Sequence, residues 1–243
     1  MKGSQESGRA LNLRFLGDSV ICLIESQHQA KRRFLLIIGP HLELYRANVD
    51  EDVTAAYART ILEQYGLTYD WAEERWLEPE LHDALAPVRR ADIETALVKL
   101  RGLFPGKVLV EDVLNPARNA YHRETVVGRA VITQSMVDGP KGPIRYARHR
   151  DTLAQRSQLI LDLFQVGSPA SRAGDLALWA CWVHMPSDML DRPSCVRLAF
   201  PFEDGTWEES YDLYDLVPSL KGYTESETVL ALRRDAKQAR GAA

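Results

Sequence analysis

Residues 176–185 are apolar on both alternating faces and constrain the fold more than any other part of the chain. Their sequence, LALWACWVHM, offers no face that water would cover, which is typical of a central strand buried on both sides. We therefore predict a central buried strand here, with Trp179 and Trp182 in the core. A second core strand is predicted at residues 195–202 (CVRLAFPF).

Two stretches near the start of the chain, residues 11–25 and 33–46, are rich in strand-forming side chains. A polar loop separates them, which predicts a long antiparallel pair. Gly17 interrupts the first stretch and Gly39, followed by Pro40, interrupts the second, so we expect a bulge or bend at each glycine.

Residues 48–104 show a helical period. Apolar side chains recur from residue 53 to residue 65, which predicts a helix with Asn48 as its N-cap and Gly66 as its end. Further helices are predicted after Asp70, from Pro79, and over residues 92–103.

Strand patterns return after the helical block, first at residues 107–114 before an Asn115-Pro116 turn signal. Residues 125–137 (TVVGRAVITQSMV) read as one strand, turned at DGPKGP and returning at residues 144–147. This predicts a hairpin with Lys141 at its tip. A helix capped by Asp151 follows, and a last helix is predicted at residues 224–238.

Strands that flank a block of helices and then resume favour an α+β fold over a regular βαβ alternation. We predict one α+β domain over residues 1–243, with an antiparallel sheet core and a C-terminal helix. Residues 48–104 form a helical insertion or subdomain in this interpretation.

Charge is concentrated at residues 115–156, whose net charge is +5 in a chain with a formal net charge of −4. Arginine predominates there, and its planar guanidinium suits phosphate or carboxylate. The segment therefore predicts an anion-binding or nucleic-acid-binding surface, with the candidate residues Arg118, Arg123, Arg129, Lys141, Arg145, Arg148 and Arg150. The competing interpretation is a solvated face whose cations pair with Glu124 and Asp151.

His122 and His149 both lie among these arginines, in AYHRE and RYARHRD. If the fold brings them together, two imidazoles beside phosphate-binding arginines can act as base and acid in metal-free cleavage of a phosphodiester. His184 ends the apolar strand and is expected to be a core histidine. A metal site of His184, Asp188 and Asp191 is the weaker alternative.

Sequence signatures of common catalytic sites are missing. The chain has no HExxH, GxSxG or GxGxxG, and GPKGP lacks the ending of a phosphate loop. No cofactor and no metal site is predicted. The three cysteines, Cys22, Cys181 and Cys195, lie in apolar runs without a CxxC pair, so we expect buried free thiols.

Acidic side chains dominate the helical block and residues 203–227, which predicts surfaces for basic protein partners. The polar opening of the chain and the shortness of its apolar runs predict a cytoplasmic protein that does not enter membranes. Two functions remain open. One is a non-enzymatic accessory or assembly subunit that contacts DNA, RNA or an acidic protein through residues 115–156, and the other is the phosphodiester-cleaving enzyme.

Overall fold

The computed structural model describes residues 11–16, 19–24, 37–77, 80–114, 121–145, 148–165, 177–188 and 190–221. A small antiparallel sheet of three strands precedes a larger sheet of six strands. The small sheet contains β1 (Leu11–Leu16), β2 (Ser19–Ile24) and β3 (Ile37–Ile38). The large sheet follows chain order from β4 to β9, with β4 (Val108–Leu114), β5 (Tyr121–Val127), β6 (Ala130–Met136), β7 (Leu178–Pro186), β8 (Pro193–Ala199) and β9 (Ser210–Asp212).

Helices cover both faces of the large sheet. The structure contains α1 (Pro40–Asn48), α2 (Glu51–Glu73), α3 (Glu80–Leu97), α4 (Leu100–Leu103), α5 (Arg148–Gln165) and α6 (Leu213–Leu216), and a 3₁₀ turn at Pro218–Leu220. None of the helices in these ranges combines the length and apolarity needed to cross a bilayer. Helices alongside a largely antiparallel sheet confirm the predicted α+β class.

The alternation of side chains along the central strands divides the core into two layers. Ile132, Ala180 and Trp182 pack with α1 and α2 on one face, in the larger apolar cluster. Trp179 and Cys181 point to the other face, where they pack with the first turns of α5. Strand β7 is fully buried along most of its length, which confirms the predicted central strand and the core positions of Trp179 and Trp182.

One strand pair departs from the antiparallel order. Strands β6 and β7 are parallel and in register from Ala130↔Leu178 to Met136↔His184. Helix α5 lies between them in the chain and packs on β7, so β6, α5 and β7 form a βαβ unit. The sheet is therefore mixed, and the crossover places the start of α5 after the carboxyl end of β6.

The predicted strand at residues 33–46 is wrong beyond residue 38. Pro40 begins α1 and occupies a first-turn position, where a missing amide hydrogen costs nothing because that hydrogen has no intrahelical partner. Leu42, Leu44 and Tyr45 are buried, and an apolar run this short does not distinguish a helix from a strand.

Helix boundaries also differ from the predicted ones. Asn48 ends α1 instead of capping α2, which has Asp50 at its N-cap position. Helix α2 continues through the buried Gly66 to Glu73, because tertiary packing outweighs the small helix preference lost at one glycine. Helix α3 likewise runs through Pro87, joining segments predicted as separate helices.

The predicted hairpin with Lys141 at its tip is wrong. Residues 125–137 contain a turn at Gly128, which has a φ of +55° that glycine adopts readily. The hairpin is therefore formed by β5 and β6, and Lys141 lies in a turn of the connection from β6 to α5. Residue 144 does not return to β6, since the amide of Ile144 donates to the carbonyl of Gly205 at 2.9 Å.

Asp151 does not cap α5, because the helix begins at Arg148 and Asp151 falls in its first turn. The Asn115-Pro116 turn, the returning residues 146–147 and the helix predicted at residues 224–238 lie outside the described residues.

Candidate functional site

The start of α5 and the neighbouring half of β5 bring several of the predicted site residues together. Strand β5 pairs with β4 from Val127 to Tyr121, but its ladder with β6 ends at Thr125↔Ile132. His122 and Glu124 lie in the half of β5 that does not pair with β6. Their side chains point to the face that α5 covers, and His149 of the first turn of α5 meets them there.

The imidazole rings of His122 and His149 are stacked, with their centroids 3.5 Å apart and their planes inclined by 17°. His122 Nε2 lies 2.8 Å from Glu124 Oε1. Because a carboxylate only accepts hydrogen bonds, Nε2 carries the proton in this pair. The fold therefore brings the two histidines together, as the sequence hypothesis requires.

His149 is neutral near pH 7 in this environment. Burial lowers its pKa to about 4, and the neighbouring His122 ring and the Arg150 guanidinium act in the same direction. The carboxylate of Glu124 opposes the shift without cancelling it. His149 therefore adds no positive charge to the site near pH 7.

Arg150 is half-buried and has no carboxylate partner among the described residues. Its Nη1 donates to the carbonyl of Arg145 at 2.6 Å, and its buried Nε has no hydrogen-bond acceptor in the described structure. The side chains of Arg145 and Lys141 are exposed, and neither forms an ion pair with a described residue. The start of α5 thus carries cationic charge that the described residues do not neutralise.

The remaining predicted cations do not all reach this place. Arg123 faces the opposite side of β5, where its Nε donates to Asp112 Oδ1 at 2.8 Å and its Nη1 to Thr95 Oγ1 at 3.3 Å. Arg129 lies in the β5–β6 turn, at the other end of β5 from His122. Arg148 opens α5, and Arg118 lies outside the described residues. The seven candidates therefore do not share one surface.

A polar network that the sequence did not predict crosses the other face of the sheet. His184 Nε2 lies 2.8 Å from Gln134 Oε1, and its Nδ1 lies 2.8 Å from the Tyr65 hydroxyl. Gln134 Nε2 donates to Glu94 Oε1 at 3.4 Å, which links β6 to α3. Tyr65 and Glu94 lie in two different helices. Their helical patterns do not show that both side chains point to strands β6 and β7.

His184 is a satisfied core histidine, as expected. Both ring nitrogens have partners, so neither is available to a metal ion without breaking the network. No group of three metal-ligating side chains occurs in the described part of the chain, including the neighbourhood of Asp188 and Asp191.

A second pair of polar side chains was also missed by sequence reasoning. His41 Nδ1 lies 2.7 Å from Glu209 Oε2, although the two residues are 168 positions apart. His41 lines a cavity of about 340 Å³ next to α5. Nothing in the local sequence of either residue signals the pairing, which depends on α1 packing near the end of β8.

Comparison with known proteins does not assign the chain to a family or a function. No family model matches the chain, and no match was found among curated proteins or among solved structures. Functional inference therefore rests on the geometry of the chain itself.

Proposed function

We propose that the protein is a non-enzymatic accessory or assembly subunit that contacts nucleic acid or another anionic partner through the segment 115–156. The observation that carries this proposal is the set of cations at the start of α5. Arg145, Arg150 and Lys141 have no carboxylate partner among the described residues, and guanidinium groups bind phosphate oxygens with bidentate geometry.

The path of the backbone also favours an anion-binding site at the start of α5. In α/β sheets, ligands bind beside the carboxyl ends of parallel strands, next to the amino terminus of the following helix. Strands β6 and β7 are the parallel pair, and α5 is the following helix. The positive end of the helix dipole adds to the charge of Arg145 and Arg150.

The alternative, a phosphodiester-cleaving enzyme that uses His122 and His149, is less well supported. Rings with centroids 3.5 Å apart leave no space for a phosphoryl group between them. His122 Nε2 is held by Glu124, and the lowered pKa of His149 makes it a poor proton donor near pH 7. Binding explains the arginines without requiring either imidazole to move.

We further propose that the acidic first turns of α2 and α3 contact basic protein partners. Glu51, Asp52, Glu80 and Asp83 are exposed on these helices, and complementary charge favours encounter with a basic surface. A cytoplasmic location is part of the same proposal. The free thiols of Cys181 and Cys195 suit a reducing compartment.

The proposal is tested by fluorescence anisotropy with labelled single-stranded RNA, single-stranded DNA and duplex DNA, each over a series of salt concentrations. Three phosphate contacts predict a slope of log affinity against log salt of roughly −2 to −3. In the double variant Arg145→Ala/Arg150→Ala we expect affinity to fall about tenfold or more and the slope to decrease by about two.

The matched control is Lys99→Ala/Arg101→Ala, which removes the same charge from exposed positions at α4. Equal losses in both double variants, or no binding to any of the three nucleic acids and to heparin, would overturn the proposal. Incubation of the same labelled substrates separates the alternative, because cleavage that disappears in His122→Ala while binding persists would establish the enzyme instead.

A further inference from the structure

A cavity of about 340 Å³ lies between α5 and the segment that follows β8. Its polar lining includes His41, Ser157, Glu203 and Asp204, and Phe202 contributes an aromatic ring. A concave site with a few convergent polar groups is the usual form of a small-molecule site.

His41 is held in one orientation by a carboxylate. Its Nδ1 donates to Glu209 Oε2 at 2.7 Å, while Glu209 Oε1 accepts from the amide of Leu42 at 3.1 Å and from the Tyr211 hydroxyl at 2.9 Å. The ring also stacks on Phe200, with centroids 5.2 Å apart. The proton of this pair is on Nδ1, and no described residue contacts Nε2, which is an acceptor when the ring is neutral.

Glu209 is suited to this task because it remains ionised. Burial alone would raise its pKa, but the hydrogen bond from His41, the charge of His41 when it is protonated, and the hydrogen bonds from Tyr211 and the amide of Leu42 bring the pKa below its ordinary value. An ionised carboxylate accepts and never donates, so it fixes the tautomer of the histidine.

Ser157 is the second independent feature of the cavity. It lies on α5, is only 4% exposed, and its hydroxyl has no hydrogen-bond partner in the described structure. Buried polar groups are normally paired. A hydroxyl that lines a cavity and has no protein partner is available to a bound molecule.

The charge of the lining selects the class of molecule. Glu203 is an exposed carboxylate at the cavity, and Asp204 uses Oδ1 to accept from the amide and hydroxyl of Thr206. Together with His41 Nε2 and the hydroxyl of Ser157, the lining offers acceptors and negative charge. Its complement is a ligand with several N–H donors and a positive charge, with an apolar part for Phe202.

We propose that this cavity binds a small molecule that carries a protonated primary amine. The ammonium group donates to Nε2 of the neutral form of the His41 ring and to the Ser157 hydroxyl, and Glu203 supplies the opposite charge. Glu209 is a positioning residue, since it acts on the ligand only through the tautomer of His41. Binding of the amine does not require that the proposed anion surface bind a partner.

The experiment is a titration of the full chain with benzylamine, with benzyl alcohol as its neutral counterpart, followed by amide NMR shifts. We expect benzylamine to bind at least about tenfold more tightly than benzyl alcohol, and to shift the amides of α1, α5 and residues 201–204. Equal affinities for the two molecules would overturn the proposal, as would failure of both to bind at millimolar concentration.

Variants test the individual contacts. Ser157→Ala and Glu203→Gln are each expected to weaken benzylamine binding about threefold to tenfold, whereas Glu51→Gln, in a separate cavity, leaves it unchanged. Glu209→Gln is expected to shift the His41 proton to Nε2, which nitrogen NMR of the imidazole reports directly. Unaltered binding in both Ser157→Ala and Glu203→Gln contradicts the assignment, even if Glu209→Gln fails to fold.

Discussion

Gly39 is a residue at which one methyl group would displace a carboxylate. A β-carbon on Gly39 would overlap with the carboxyl group of Glu209, while the φ of −78° is open to any residue. Alanine would therefore fit the backbone and disturb the hydrogen bonds that Glu209 accepts from His41, Leu42 and Tyr211. We expect Gly39→Ala to lower the free energy of unfolding by roughly 1–3 kcal/mol, measured by urea denaturation.

Gly102→Ala is the matched control. Gly102 lies in α4, and a β-carbon there would meet no atom within 4 Å. Since alanine favours a helix over glycine, stability should stay the same or rise by up to about 1 kcal/mol. A loss at position 102 as large as that at position 39 would show that the Glu209 contact does not decide the result.

At the residue scale, the sequence indicated which side chains carry charged or reactive groups. It did not indicate which side chains they contact. His122, His149 and Arg150 were found because they share a charged segment, and the fold does bring them together. Glu209 and His41 escaped notice, since their contact joins positions 168 apart. Partners at such separation depend on how layers pack, which residue type and spacing do not encode.

At the scale of elements, Asn48 joins the end of α1 to the turn between β5 and β6. Its Oδ1 accepts from the amide of Arg129 at 3.0 Å, and its Nδ2 donates to the carbonyl of Leu44 at 2.8 Å. We expect Asn48→Ala to lower the free energy of unfolding by about 1–2 kcal/mol in urea, because both groups lose their partner.

Asn48→Asp keeps an acceptor for the Arg129 amide and removes the donor to Leu44. Its loss of stability should therefore be smaller than that of the alanine variant. Equal losses in the two variants would mean that the bond to the turn adds nothing.

Periodicity predicted the elements that are long or buried on both faces, such as the helix around residues 53–65 and strand β7. It failed where one residue changes the path of the chain. Gly128 divides a run of β-branched residues into two strands through its positive φ, and Pro40 starts a helix inside an apolar run. In both cases a single backbone preference, supported by tertiary contacts, outweighed the local pattern.

For the whole molecule, the order of the strands in the sheet determines which residues meet at each site. The fold class followed from the succession of strand and helix patterns, but the parallel pairing of β6 with β7 did not. Strand pairing depends on which apolar faces meet after the chain collapses, and β6 has neighbours of suitable pattern on either side. That pairing places the start of α5 and its arginines at one end of the sheet.

Acid stability of the whole molecule depends on the buried network that ties α2 and α3 to this sheet. Burial lowers the pKa of His184 to about 3, and the charge of Arg89 acts in the same direction. The unfolded chain takes up this proton as pH falls below about 6.5, whereas the folded protein resists until about 3. Stability should therefore be complete above pH 6.5 and decline between those values, by roughly 1.4 kcal/mol per pH unit for one proton. His149, with a pKa of about 4, adds to the decline in the upper part of the range.

Urea denaturation at pH 7, 6 and 5 measures the slope, and imidazole NMR over the same range identifies the groups. Titration of the His184 ring near pH 6.5 in the folded protein would contradict the prediction, because it would mean that burial and the charge of Arg89 do not hold the ring neutral.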